Sequence, residues 1–188
     1  KILEKHKCDR IISDARYDMY DKKIPSFFIS HQMRIMNPLR LQKFESGSEI
    51  FNLFFFKRFS GVIIPDFKED NLSGDLSHKL KKIDENKLQY IGVLSDFNKK
   101  NTKKDIDYFI SISGPEPQRT ILEEILFTQI GDLKGKVIVT LGKTENIDKF
   151  KKDGVETYSF LSRNKREEFL NKAKIVVSRS GYSTILDL

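Results

Sequence analysis

Short apolar runs alternate with segments of helical length along most of this 188-residue chain, and this alternation restricts the fold more than any other feature. The pattern is clearest in the second half, where polar segments with helical periodicity separate the apolar runs. Strands that alternate with helices form mostly parallel sheets with right-handed crossovers. The sequence therefore predicts an α/β protein with mostly parallel sheets.

The predicted elements follow from apolar periodicity and from turn residues. Strands are predicted at 10–14, 24–30, 61–66, 88–92, 107–112, 136–140, 155–160 and 174–177. Helices are predicted at 42–59, 117–129, 145–152 and 164–172, and a helix-like stretch opens the chain at 1–7. The aromatics Phe51, Phe54 and Phe55 fall near one face of the first long helix, which predicts that they belong to the core. Residues 96–105 are rich in Asn, Lys and Asp, which predicts a linker.

The end of the chain, residues 175–188, reads IVVSRSGYSTILDL. An apolar run stops at a polar, glycine-containing turn and gives way to the start of a helix. Backbone N–H groups and the positive end of the helix dipole bind anions at such a junction. Asp187 lies three residues after Thr184, so it projects about one turn into the helix. This arrangement predicts a nucleotide-diphosphate site, with phosphate at the turn and a sugar hydroxyl at the carboxylate.

Residues 178–187 (SRSGYSTILD) resemble the donor-site motif RSGA-[LS]-T-V-x-E of MurG-like glycosyltransferases, with Tyr182 replacing Ala and Asp187 replacing Glu. The resemblance implies the GT-B architecture of two Rossmann-like domains that face each other across a cleft, both incomplete here. It also implies that this chain is an interior portion of a longer protein. Residues 1–95 would be the later part of the N-terminal, acceptor-side domain, and 106–188 the earlier part of a nucleotide-sugar-binding domain of glycosyltransferase family 28 type.

The same resemblance implies roles at the donor site. Backbone amides at Ser183 and Thr184 would meet the donor phosphate, Asp187 would take the ribose hydroxyls, and Arg179 would set the turn or assist the phosphates. A loop at 113–120 (SGPEPQRT) matches the family's GGSQG loop in part, and there Arg119 is a candidate for stabilising diphosphate charge. The backbone near Leu161 would read the base. The candidate donor-binding residues are Ser113, Gly114, Arg119, Leu161, Arg179, Ser180, Gly181, Tyr182, Ser183, Thr184 and Asp187.

Acceptor-side candidates lie in the first half. Residues 29–32 (ISHQ) follow a predicted strand and resemble the HEQN segment of MurG-like proteins, which lies on the acceptor side of the cleft. A histidine at a strand end can act as a general base or serve a structural role. Residues 14–18 (DARYD) stand where family members carry a loop near the acceptor, although Asp14 and Arg16 are equally compatible with a surface ion pair. The acceptor-side candidates are Asp14, Arg16, His31 and Gln32, and His31 is the catalytic candidate.

Composition narrows the functional classes. The net charge of +7 suits nucleic acid, anionic membrane or phosphorylated substrates, yet the lysines are scattered along the chain. A single cysteine excludes an internal disulfide framework. The three histidines show no metal-ligand spacing, and no Asp-x-Asp pair ends a strand. The sequence therefore predicts no metal and no cofactor, the nucleotide sugar being a substrate.

The leading hypothesis is a cytoplasmic, metal-independent glycosyltransferase of the hexosyl type, using a UDP-sugar as donor. The expected acceptor is a lipid-linked or other glycan, and the expected location includes peripheral contact with the inner face of the membrane. Two alternatives stay open. One is a nucleotide-sugar epimerase of the same fold. The other is a basic nucleic-acid-binding protein, which requires clustered Lys and Arg with exposed aromatics.

Overall fold

The computed structural model describes residues 6–39, 41–144 and 148–188. The chain forms two compact units that divide between Leu94 and Ser95. Each unit is built on a mostly parallel sheet flanked by helices, so the predicted α/β class is confirmed. Most of the helix-like stretch at 1–7 lies outside the described residues.

The first unit contains a sheet of four parallel strands in the order β1-β2-β3-β4. Helix α1 joins β2 to β3, and two short 3-10 turns lie between β3 and β4. Because the strands are parallel and in register, their carboxyl ends share one edge of the sheet. The bounds are Ile11–Asp14 (β1), Ser26–Ile29 (β2), Gln42–Phe56 (α1), Gly61–Ile64 (β3), Gly74–Leu76 and Glu85–Lys87 (the 3-10 turns) and Leu88–Tyr90 (β4).

The core of this unit is rich in aromatic rings. Tyr17 stacks on Phe28 with a centroid distance of 5.0 Å, and its hydroxyl donates to Oδ1 of Asn52 at 2.8 Å. A buried tyrosine stabilises a fold best when its polar end finds such a partner. The buried apolar cluster consists of Phe28, Met33, Phe56, Phe59, Val62, Ile64 and Ile83.

Helix α1 exposes two of the aromatic side chains that the sequence predicts to be in the core. Phe51 and Phe54, expected in the core, are 59% and 61% exposed, whereas Glu45 and Glu49 of the same helix are buried. The cause is tertiary, because the buried guanidinium of Arg34 donates to Glu49 at 3.0 Å and draws the acidic side of the helix inward. The prediction of core aromatics is therefore wrong for Phe51 and Phe54.

The second unit contains a sheet of five strands in the order β7-β8-β6-β5-β9, in which only β7 runs antiparallel to its neighbour among the described residues. A 3-10 turn at Ile130–Asp132 follows helix α2. The bounds are Ile106–Ser111 (β5), Gln118–Gln129 (α2), Val137–Thr140 (β6), Lys149–Lys152 (β7), Val155–Tyr158 (β8), Arg163–Lys172 (α3), Ala173–Ser178 (β9) and Tyr182–Leu186 (α4).

The helix predicted at 145–152 is wrong for residues 149–152, which form strand β7. Residues 149–152 pair antiparallel with β8, and the two strands are joined at Asp153 and Gly154, which both have positive φ angles of 50° and 78°. An Asp-Gly pair in this conformation is a usual connection of a two-residue β-hairpin. The Asp-Gly turn therefore outweighs the short polar pattern at 145–152 from which the helix is predicted. Residues 145–147 of the predicted helix lie outside the described residues.

The segment predicted as a linker, 96–105, is attached to α3 by hydrogen bonds within the second unit. The backbone N–H of Asn98 donates to Glu167 at 2.8 Å, and the Lys100 ammonium lies 2.7 Å from the same carboxylate. Thr102 donates its hydroxyl to the carbonyl of Asn171 at 3.0 Å. These bonds order the entry to β5. In the described part of the chain, no helix has both the length and the hydrophobicity to cross a bilayer.

Candidate functional site

The strand order of the second sheet reverses at β5, which has β6 on one side and β9 on the other. Ligands of open α/β sheets bind outside the carboxyl ends of the strands at such a reversal. Ser111 and Ser178 end β5 and β9 and are paired in register, so the loops that follow them begin side by side. This edge is therefore the place where the topology favours a ligand site.

The two loops enclose a cleft of about 560 Å³, here called the glycine cleft, lined by Ser113, Gly114, Pro115, Ser178, Arg179, Ser180 and Gly181. Nη1 of Arg179 donates to the carbonyl of Ser113 at 3.3 Å and bridges the loops. Gly114 has a φ of +118°, and a Cβ atom there would overlap the Arg179 guanidinium. Five residues predicted from two distant motifs are thus brought together in one cleft.

Helix α4 begins at the wall of the glycine cleft, since Gly181 both lines the cleft and forms the N-cap. No side chain of the described residues caps this helix end. Ser183 is exposed and Thr184 is buried. The first turn, with Tyr182 as its first residue, therefore presents backbone N–H groups and a hydroxyl where the sequence predicts the donor phosphate.

Asp187 lies at the C-terminal end of α4 and is held by neighbours in the second unit. Its Oδ1 accepts a hydrogen bond from the Ser95 hydroxyl at 2.6 Å, and its Oδ2 lies 3.8 Å from Nη2 of Arg166. The Asp187 side chain is 15% exposed. A ribose hydroxyl that binds this carboxylate has to share it with Ser95 or displace the serine.

Arg119 lies in the first turn of α2 and has partners within the loops. Its Nε donates to Oε1 of Glu116 at 2.9 Å, and its Nη1 donates to the carbonyl of Gly142 at 2.8 Å. Hydrogen bonds from Thr120 and Arg119 hold the pKa of Glu116 below its usual value. Arg119 thus ties the loop after β6 to the start of α2, next to the clefts.

A second cleft of about 380 Å³, here called the aromatic cleft, shares Ser113 with the glycine cleft. Its lining consists of Phe97, Ser111, Ile112, Ser113, Thr140, Gly142, Phe160, Leu161, Arg163 and Arg166. Leu161 was predicted as a base-binding position. The guanidinium carbons of Arg163 and Arg166 lie 5.8 and 5.7 Å from the ring centroid of Phe97, within the range of cation–π attraction.

Most residues that line the aromatic cleft are not among the candidates predicted from the sequence. Arg163 and Arg166 are spaced i, i+3 at the start of α3, directly after a strand, and that spacing puts both on one side of a helix. This signal was available in the sequence. Phe97 carried no such signal, because its place beside the two arginines depends on the path of the segment before β5.

At the carboxyl edge of the first sheet, Asp14 ends β1, His31 follows β2, and Asp66 follows β3. Burial lowers the pKa of His31, while the negative charges of Asp14 and Asp66 oppose that shift without cancelling it. The imidazole is therefore neutral around pH 7 and is able to accept a proton. Topology thus places two of the acceptor-side candidates, Asp14 and His31, at one edge.

The other acceptor-side candidates lie nearby in the chain. Arg16 pairs with Asp18 at 3.0 Å rather than with Asp14, and both side chains of the pair are exposed. Gln32 is exposed, and its backbone N–H donates to the Ser30 hydroxyl at 3.0 Å. Across the described ranges, no three His, Cys, Asp or Glu side chains form a group that could hold a metal ion.

Comparison with known proteins identifies the fold. No protein-family model matches the chain, and none of the curated proteins matches it. Among solved structures, the chain is similar to the glycotransferase of kitacinnamycin, with a TM-score of 0.51 and 14% sequence identity, over 98% of this chain and 56% of that chain. The chain therefore has a glycosyltransferase-like α/β fold and spans little more than half the length of that structure.

Proposed function

We propose that the chain belongs to a glycosyltransferase that moves a sugar from a UDP-type nucleotide-diphosphate donor to an acceptor hydroxyl. The observation that carries this proposal is the meeting of two glycine-containing loops in the glycine cleft, at the strand-order reversal of the second sheet. The solved structure with a similar fold is a glycosyltransferase, which supports the same reaction class. The motif at 178–187 is the ground for a MurG-like, family 28 type assignment.

In this proposal the diphosphate occupies the glycine cleft. The N–H groups at the start of α4 and the guanidinium of Arg179 supply positive charge where the leaving diphosphate gains negative charge. Arg119 contributes indirectly by holding the Gly142 loop. These groups would stabilise the departing phosphates without a metal ion, so we propose a metal-independent transfer of a hexosyl group to a lipid-linked or other glycan acceptor.

The base and the ribose would occupy the aromatic cleft, where Phe97 and the two arginines offer a stacking surface. The buried Nε of Arg166 has no hydrogen-bond partner among the described residues, so a ligand oxygen in the cleft would satisfy it. Asp187, which lies beside Arg166, would accept hydrogen bonds from the ribose hydroxyls. The backbone at Leu161 would read the base edge.

The reaction further requires a group that removes a proton from the acceptor hydroxyl. We propose His31 for this role, because its lowered pKa keeps the imidazole neutral at physiological pH. The free thiol of Cys8 suits a reducing compartment, and we propose a cytoplasmic location.

Asp187→Ala is expected to weaken UDP-sugar binding about tenfold or more, because hydrogen bonds to a charged partner contribute about 1.5–3 kcal/mol. Isothermal titration with UDP-glucose and UDP-N-acetylglucosamine measures the affinity. Ser95→Ala is the matched control, because it removes the internal partner of the same carboxylate and leaves the carboxylate itself. Unchanged affinity in Asp187→Ala, or an equal loss in Ser95→Ala, would show that Asp187 has only a structural role.

Gly114→Ala is expected to lower UDP affinity by about tenfold, with a loss of about 1–2 kcal/mol in the free energy of unfolding from the strained φ. The added Cβ would push the Arg179 guanidinium away from Ser113, and a charged group on the phosphates would be lost. Titration with UDP and urea denaturation measure the two effects. Gly131→Ala is the control, since its Cβ would meet no atom within 4 Å. Equal UDP affinity in the two variants would count against the glycine cleft as the diphosphate site.

The two alternative functions give different products. Incubation with a UDP-sugar labelled in the sugar releases free UDP and transferred or hydrolysed sugar if the chain is a transferase. An epimerase returns the label in an isomeric UDP-sugar, and a nucleic-acid-binding protein leaves the UDP-sugar unchanged. Chromatography of the labelled products separates these outcomes.

A further inference from the structure

The segment that leads into β5 contacts several groups of the proposed donor site. Its first three residues, 95–97, are here called the strap, and Ser95 is the first residue of the second unit. The Ser95 hydroxyl donates to Oδ1 of Asp187 at 2.6 Å, and Phe97 lines the aromatic cleft. The strap therefore touches both the carboxylate and the cleft that we assign to the nucleoside.

The strap also contacts the two arginines of the aromatic cleft. Arg163 donates through Nη2 to the backbone carbonyl of Asp96, and its Nε lies 3.4 Å from Oδ2 of the same residue. The guanidinium carbons of Arg163 and Arg166 lie within cation–π range of the Phe97 ring. Three charged side chains at the proposed nucleotide site therefore have partners in the strap, namely Asp187, Arg163 and Arg166.

One hydroxyl group links Asp187 to the rest of the strap. The Ser95 oxygen that donates to Asp187 also accepts the backbone N–H of Phe97 at 3.1 Å. Because both bonds use one oxygen atom, a ligand that displaces Ser95 from Asp187 also disturbs the backbone at Phe97. A change at the carboxylate is thus transmitted to the aromatic cleft.

The residue after the strap is held by other groups. The backbone N–H of Asn98 donates to Oε1 of Glu167 at 2.8 Å, and the Asn98 carbonyl accepts from Nδ2 of Asn171 at 3.0 Å. Neither Glu167 nor Asn171 lines the glycine cleft or the aromatic cleft. The strap can therefore move at its Ser95 end while Asn98 stays attached to α3.

We propose that the strap is an internal competitor of the nucleotide for Asp187, an inference that rests on the proposed donor site. When UDP enters, a ribose hydroxyl replaces the Ser95 hydroxyl at the carboxylate, and the strap carries the Phe97 ring from the arginine side chains onto the base. Oδ1 of Asp187 exchanges one hydrogen-bond donor for another, so the carboxylate is not left unsatisfied. A ligand without a ribose, such as inorganic pyrophosphate, leaves the strap in place.

Competition determines the sign of the effect of Ser95 on binding. The measured affinity of a site is reduced by the fraction of molecules in which the site is blocked. Ser95→Ala removes the internal donor and is expected to raise the UDP affinity about threefold to tenfold, the usual net contribution of one hydrogen bond. If Ser95 only positioned Asp187 for the ribose, the same variant would bind UDP more weakly. Ser95→Thr keeps a hydroxyl and is expected to bind UDP like the unmodified chain.

Tryptophan fluorescence reports on the strap directly, because the chain contains no tryptophan and Phe97→Trp introduces a single indole. UDP is expected to shift the emission maximum of this variant, whereas pyrophosphate is not. Addition of Ser95→Ala is expected to shift the emission without any ligand, since the backbone N–H at position 97 loses its acceptor. Isothermal titration measures the affinities, and circular dichroism shows whether each variant is folded.

The matched control is Ser162→Ala. Ser162 is exposed, precedes Arg163 and, as the N-cap of α3, makes no side-chain capping hydrogen bond with the described residues, so affinity and emission are expected to stay unchanged. Equal or weaker UDP binding by Ser95→Ala would overturn the competition alone, because UDP would still bind. An emission maximum that responds to neither UDP nor Ser95→Ala would do the same. Absence of UDP binding in the unmodified chain and in every variant would overturn the donor site as well.

Discussion

Replacement of His31 by glutamine is expected to lower the rate of UDP release from a UDP-sugar by about 10²–10⁴-fold, the usual contribution of a general base. Water serves as the acceptor in this assay. Glutamine keeps hydrogen-bonding capacity but cannot take up a proton in the neutral range. The KM for the UDP-sugar is expected to stay unchanged, because the proposed donor-binding residues lie in the second unit. Initial rates at several donor concentrations separate the two constants.

The pH dependence of the rate is a more specific test of His31 as the general base. Burial lowers the pKa of this imidazole more than the negative charges of Asp14 and Asp66 raise it. The neutral form, which is the form able to accept a proton, therefore persists below the ordinary histidine pKa of about 6.5. The rate is expected to be constant at neutral pH and to fall only at lower pH, where the imidazole gains its proton. The His31→Gln variant is expected to lack this acid limb.

The free energy of unfolding is expected to fall at low pH as well. The folded state disfavours protonated His31, so the unfolded state takes up the proton first as the pH falls below about 6.5, and the free energy of unfolding decreases. His6→Gln is the control for both measurements, because His6 is exposed near the start of the described chain. A His31→Gln variant with the rate and acid limb of the unmodified chain would remove His31 from the mechanism.

Arg34→Leu is expected to cost about 3–5 kcal/mol of stability in the first unit, because it leaves the buried carboxylate of Glu49 without its charged partner. The pair is almost fully buried, with Nη1 of Arg34 at 3.0 Å from Oε1 of Glu49. The same guanidinium donates to the carbonyls of Asp75 at 2.6 Å and His78 at 3.1 Å. Its loss therefore leaves several buried acceptors unsatisfied.

Glu49 has a further role, since its Oε2 accepts the backbone N–H groups of Lys81 and Lys82 at 2.8 and 2.9 Å. The pair thus holds the loop before β4 against α1. Hydrogen exchange of α1 and of residues 75–82 measures the local loss, and urea denaturation measures the total. Both are needed because two compact units need not unfold together.

Two variants make the Arg34 prediction specific. Arg16→Leu breaks an exposed pair with Asp18 and is expected to leave the urea midpoint unchanged, since exposed ion pairs add little. The double variant Arg34→Leu, Glu49→Leu is expected to be more stable than Arg34→Leu alone, because no buried charge stays unpaired. If Arg34→Leu has no more effect than Arg16→Leu, the buried pair does not stabilise the unit.

The glycine cleft was predictable in parts, because each loop has a local signature. An apolar run followed by a small polar turn marks the end of a buried strand, and both Ser113-Gly114 and Arg179-Ser180-Gly181 follow such a run. The hairpin at Asp153-Gly154 had an equally local signal, but the prediction placed a helix over residues 149–152, which form its first strand. Errors of this kind arise because a short polar segment matches more than one pattern.

By itself, the sequence determined the α/β class and the positions of most strands and helices, because hydrophobic periodicity and turn residues act over a few neighbouring positions. Only the tertiary structure decided that β9 lies beside β5, that Ser95 holds Asp187, and that Phe51 faces outward while Glu49 is buried. Each of these outcomes depends on groups far apart in the chain, such as Arg34 for Glu49. Their pairing follows from burial and charge compensation in three dimensions, which no local pattern records.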